Sequence, residues 1–131
     1  MRNLGLFSPI AVLSRDVEQF VVARGGKAPP DCRTPGNSVI LGVDPDWVYV
    51  ACDTSISNAC FDEEEIEDTR QQLGFDPKAY IDVHFTSTHG AFHLAEGLAR
   101  EMQTIWGGTI DYSGSGGALG RPPGLECGYD V

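Results

Sequence analysis

The sequence predicts an α+β fold: a single domain over residues 1–131, with a mixed, mainly antiparallel sheet and helices packed on one face. Three observations predict it. Segments of strand period and segments of helix period follow in the order β-α-β-β-α-β-α-β. An Asp-Pro-Asp turn between two β-rich runs marks a hairpin. The chain has 131 residues and shows neither an internal repeat nor a dividing linker, which suits one core.

The first strand is expected over Leu4–Leu13. Pro9 interrupts its apolar stretch and no small-residue cleavage site follows, so it reads as a strand and not as a signal peptide. "SRDVEQFVVAR" then forms a short helix, which Ser14 or Asp16 can cap, with Val17, Phe20 and Val21 on one side. "GGKAPPDCRTPGN" is a loop, because its prolines remove hydrogen-bond donors and its glycines favour turns.

"SVILGV" and "WVYVAC" flank the Asp-Pro-Asp turn. Both strands are apolar at nearly every position, which suits central strands covered on both faces, or strands with one face covered by a partner. "FDEEEIEDTRQQLG" is a helix that Asp62 caps and Gly74 stops, with Ile66, Thr69 and Leu73 as a narrow inner stripe. In the strand that follows, Ile81, Val83 and Phe85 point one way, and Tyr80, Asp82, His84 and Thr86 the other.

"HGAFHLAEGLAREMQTIW" is the longest helix, roughly 27 Å at full length. Ala91, Phe92, Leu94, Ala95, Leu98, Ala99, Met102 and Ile105 share one broad face, with His89, His93, Glu96 and Arg100 opposite. Gly107-Gly108 then ends the helix and leads into the short strand "TIDYS". A phosphate-cradling loop would open a helix, where backbone amides converge; this pair closes one. Residues 118–131 read as a flexible tail by composition.

Charge narrows the function. Nine basic residues face nineteen acidic ones, a formal net charge of −10. A free-standing nucleic-acid binder needs the opposite sign, whereas a cationic protein partner is attracted and its encounter accelerated. No run of about 18 apolar residues implies a membrane-spanning helix. Cys32, Cys52, Cys60 and Cys127 include no CxxC pair and suit reduced, buried thiols in a cytoplasmic protein, with a Cys52–Cys60 bridge as the alternative.

Candidate chemistry is sparse. His89 and His93 lie four residues apart on one helical face and could share zinc with His84 or Glu96. No HExxH pattern accompanies them, and their face points away from the core, so metal-free exposed histidines are expected. A mixed site of Cys52, Cys60 and a histidine has unusual spacing. Ser113 and Ser115 lie outside any GxSxG pattern, while Asp82 and His84 share a strand face and can pair. The expected chain is therefore not an enzyme and carries no cofactor or metal.

The densest feature is "DEEEIED": Asp62, Glu63, Glu64, Glu65, Glu67 and Asp68, six carboxylates in seven residues. Acidic residues suit a helix N-terminus, yet neighbours three and four apart repel by a few tenths of a kcal/mol each. A basic partner would relieve that repulsion, which makes these six residues the candidate partner-binding site.

About 45 residues of the second half resemble small bacterial immunity-type proteins encoded beside secreted toxins, contact-dependent or type VI. The resemblance lies in Leu73-Gly74, Pro77, Ile81 to Phe85, Leu94-Ala95, Leu98-Ala99, Gly107-Gly108 and Asp111, and these motifs are architectural. It implies a cytoplasmic antitoxin that binds and occludes a cognate, basic toxin. A small metal-binding protein or enzyme using His84, His89 and His93 is the alternative, and an adaptor that delivers an effector the third reading.

Overall fold

The computed structural model describes residues 2–60 and 62–115. The tail expected over 118–131 lies outside the described residues. Eight elements follow in the expected order: β1 (Arg2–Ser8), α1 (Ser14–Val22), β2 (Ser38–Val43), β3 (Asp46–Ala51), α2 (Glu63–Leu73), β4 (Ala79–Phe85), α3 (His89–Trp106) and β5 (Thr109–Asp111).

The strands form one sheet in the order β2-β3-β4-β1-β5, and every pairing is antiparallel. A ferredoxin-like arrangement, which the first six elements permit, would seat β1 between β3 and β4. Here β4 lies between them, through Val48↔Phe85 on one side and Leu4↔Val83 on the other. Such pairings join segments far apart in sequence, so local pattern cannot choose among them.

The register places Val39, Val48, Val50, Ile81, Val83, Phe85, Leu4, Leu6 and Ile110 on one face, all of them buried. That face carries the helix layer. α3 contacts β1, β3, β4 and β5, while α1 contacts β2. Phe92 of α3 meets Phe85 edge-on with ring centroids 5.6 Å apart, and α1 and α3 meet through Phe20 and Trp106. Each fully buried aliphatic or aromatic side chain contributes about 1.5–3 kcal/mol by leaving water.

Several local expectations change. β1 ends at Ser8, not Leu13, because Pro9 cannot continue the ladder. The Ser8 hydroxyl then accepts from the Ile10 N–H at 3.1 Å and donates to the Trp106 carbonyl at 2.8 Å, which bends the chain away. Neither Ser14 nor Asp16 caps α1; Leu13 is the cap residue and makes no side-chain cap bond. Ile105 is 53% exposed, because the last turn of α3 packs inward through Trp106 and not through Ile105.

The cysteines also depart from expectation. Cys32 and Cys52 are joined in a disulfide, with Cα atoms 6.1 Å apart and 20 residues between them in sequence, and Cys60 is the buried free thiol among the described residues. The loop after α1 folds back along the end of β3, where the Asn37 carbonyl accepts from the Cys52 N–H at 3.1 Å. That return brings Cys32, and not Cys60, against Cys52.

Two helix ends behave as read. Asp62 accepts from the Glu65 N–H at 2.9 Å, and Gly74 closes α2 at φ 79°. Gly108 has φ 107°, and a Cβ there would run into the Phe7 carbonyl, so the helix stop requires glycine twice over.

Candidate functional site

α2 lies at the rim of the domain. No residue of it is fully buried, and its inner stripe of Ile66, Thr69 and Leu73 is only half-buried. What holds the helix is therefore its two caps plus a light apolar contact. The Cys60 thiol, 3.6 Å from the Thr69 hydroxyl, adds a small polar tie.

Charge is unevenly distributed along it. At the C-terminal end, Arg70 pairs with Glu67 and with Asp76, and Lys78 reaches Asp76 at 2.9 Å. Hydrogen bonds from Lys78 and then Arg70 hold the Asp76 carboxyl below its usual range. At the N-terminal end the balance is acidic. Glu63, Glu64 and Asp68 are exposed, and none of the three has an ion-pair partner among the described residues. Asp62 is occupied as the cap, and the Glu67 carboxylate by Arg70. The six carboxylates expected to act together thus divide into a capping residue (Asp62), a paired residue (Glu67), the half-buried Glu65, and the exposed Glu63, Glu64 and Asp68.

The three histidines do not converge. His89 and His93 have ring centroids 6.5 Å apart on α3. His84 alternates with the buried Val83 and Phe85, so it faces the side of the sheet away from α3. Among the described residues, no group of three or more His, Cys, Asp or Glu side chains is placed to hold a metal ion. Cys52, bonded to Cys32, no longer offers a thiolate to a zinc site. Ser115 is buried in a short 3-10 turn, where its N–H donates to the Tyr112 carbonyl.

On that second face Asp82 and His84, which their shared strand face permits to pair, do so. His84 Nε2 lies 2.9 Å from Asp82 Oδ2, while Asn3 Nδ2 donates to Asp82 Oδ1 at 3.0 Å. The hydrogen bond to Asp82 raises the His84 pKa above its ordinary value, against the opposing effect of partial burial. Beside it, burial raises the Tyr80 phenol, with the negative charges of Asp82 and Asp111 adding to the shift. The Tyr80 ring lies across Gly5, where a Cβ would strike it.

Sequence reasoning missed a groove on the helix face. α1 ends at Val22 and α3 lies over the other four strands, so the end of β2 is left uncovered. The space, about 630 Å³, is lined by Leu41, Val43, Leu94, Leu98 and Gly97, with the Arg24–Glu101 ion pair at its edge. Its one trace in the sequence is the run of apolar residues in the hairpin strands, which suited a face covered by a partner. β3 is central but buries only its alternate residues Val48 and Val50, not both faces; β2 is an edge strand whose Val43 is 78% exposed.

Among the described residues no helix is long and apolar enough to cross a membrane. No family model matches the chain, and neither a curated protein nor a solved structure matches it.

Proposed function

We propose that this chain is an inhibitor of immunity type, which binds and occludes a basic protein toxin and performs no turnover of its own. The observation that supports this reading is the first half of α2: a rim helix that buries no residue fully yet concentrates carboxylates, on a chain of net charge −10. Intramolecular stability gives little reason for that concentration, since the helix dipole favours only a residue or two of it. A cationic surface would gain from it, mostly in rate of encounter.

The cytoplasm is the compartment this reading assigns, because an antitoxin guards the cell that makes the toxin. The Cys32–Cys52 bridge argues instead for an oxidising compartment, since such bonds are rare where glutathione keeps thiols reduced. Fractionation of the producing cells decides between them.

The test is stoichiometric. A partner captured from native lysate is identified by mass spectrometry, and this chain is titrated into its activity assay. Inhibition that completes at a fixed molar ratio supports the proposal; an active partner at saturation removes it and leaves the adaptor reading. Changing Glu63, Glu64 and Glu65→Lys should then slow association and weaken the complex. An unchanged on-rate and affinity would take α2 out of the interface.

A further inference from the structure

A second surface, separate from α2, has the form of a peptide-docking site. β2 is an edge strand, and among the described residues its outer edge pairs at Ile40, which exchanges two backbone bonds with Lys27 at 2.8 and 2.9 Å. Gly42, two residues further along, pairs with Trp47 of β3 on the inner side and lies past the point where the Lys27 segment leaves for α1. Beside it lies the groove, with Leu41 and Val43 on its floor and Leu94 and Leu98 on the α3 wall. Gly97 opens that wall, since a Cβ added there meets nothing within 4 Å.

We propose that the groove receives a short extended segment of a cationic protein, one aliphatic side chain lying over Leu41, Leu94 and Leu98 and its backbone passing Gly42 at the edge of β2. A strand edge supplies the backbone contact and an apolar pocket beside it the side-chain selection, as in strand-addition recognition generally. Charge selects the occupant. Arg24 is the one Lys or Arg in the lining among the described residues, and it is already engaged: it pairs with Glu101 at 2.7 Å, donates to the Phe20 carbonyl at 2.9 Å and stacks over the Phe20 ring. That pair leaves the lining without a surplus positive charge, and the exposed Asp44 follows Val43 directly in the hairpin turn. A second copy of this chain would bring a further charge of −10 to that surface, whereas lysines or arginines flanking the aliphatic residue would be attracted to it. The inference does not depend on the toxin reading, because any cationic extended segment satisfies it.

The test uses the full chain and a labelled synthetic heptapeptide, acetyl-Lys-Val-Lys-Ile-Lys-Val-Lys-amide, followed by amide chemical shifts and fluorescence anisotropy. Shifts should concentrate at Leu41, Gly42, Gly97 and Leu98. A version with serine in place of valine and isoleucine should bind about tenfold more weakly or worse, and a glutamate version should not bind. Gly97→Leu should fill the groove and weaken binding by about tenfold or more, while raising the melting temperature, because leucine favours helix over glycine. A stabilised variant that loses binding cannot be explained by misfolding.

Four results would overturn the proposal. They are shifts located elsewhere, equal binding of the serine peptide, undiminished binding to Gly97→Leu, and contacts from residues 116–131 to Leu41 or Leu98 in the free chain. The last would assign the groove to the chain's own tail. Inhibition of a toxin by a chain that fails this test would leave the α2 reading untouched.

Discussion

α2 and α3 were equally legible as helices, yet they are held by different forces. α3 buries Ala91, Phe92, Ala95, Leu98, Ala99 and Met102 against the sheet. α2 buries nothing completely and rests on its end caps. Periodicity and capping residues announce a helix in both cases; how much of its face is covered depends on what the sheet places beside it. The difference separates roles. α3 is structural along its buried face, whereas α2 can change its charged residues without disturbing the core, as an interaction surface must.

The sharpest way to break that contrast is to remove packing from α3. Phe92 is 1% exposed and lies edge-on to Phe85. Phe92→Ala should lower the free energy of unfolding by about 3–5 kcal/mol through lost burial and the cavity left behind. Urea denaturation followed by circular dichroism measures it. A loss under about 1 kcal/mol, within the range of ordinary surface changes, would mean that α3 is not the principal cover of the sheet.

The caps sharpen the same comparison at smaller scale. Thr88 accepts from the Ala91 N–H at 3.1 Å and also donates to Asp46 at 2.7 Å, which ties α3 to the hairpin. Asp62 accepts from Glu65 and makes no comparable tie to the sheet among the described residues. Removal of either cap is expected to cost about 1 kcal/mol locally. Thr88→Ala should lower the global stability measured by denaturant. Asp62→Ala should instead speed hydrogen exchange over 63–69, with the global midpoint almost unchanged, because a rim helix can fray alone. A matching fall in the global midpoint for Asp62→Ala would show α2 to be part of the cooperative core.

How much was readable follows from the same physics. The eight elements, the Asp62 cap, the Gly74 and Gly107-Gly108 stops and the Asp82–His84 pair all depend on residues close in sequence, where pattern suffices. Strand order, the Cys32–Cys52 bridge and the groove depend on which distant segments meet. The apolar hairpin strands carried a partial signal. Their composition could not tell a core strand from an uncovered edge, and the structure makes β3 one and β2 the other. Ile105 failed for a related reason: the last turn of α3 packs inward through Trp106, against Phe20 of α1, and leaves Ile105 outward.

The smallest expected effect lies on the sheet face that carries no helix layer from α1 or α3. His84 keeps its proton to a higher pH than an ordinary histidine because Asp82 accepts from it. A folded-state pKa above the unfolded one means that protonated His84 contributes stability in full below about pH 6.5, the unfolded value. The contribution falls as pH rises through the folded pKa and is absent above it. Its size is modest, because the side chain is 42% exposed and solvent screens the pair. Asp82→Asn removes the acceptor charge and should return the His84 titration, followed by imidazole proton shifts, to the ordinary value or below. The Asn3 contact is removed or inverted by the same change, so Asn3→Ala is the control: it leaves the carboxylate in place and should leave the raised His84 pKa largely intact. A wild-type histidine that titrates normally would show that Asp82 is directed to Asn3 alone, and that the pair on this face is a contact without electrostatic consequence.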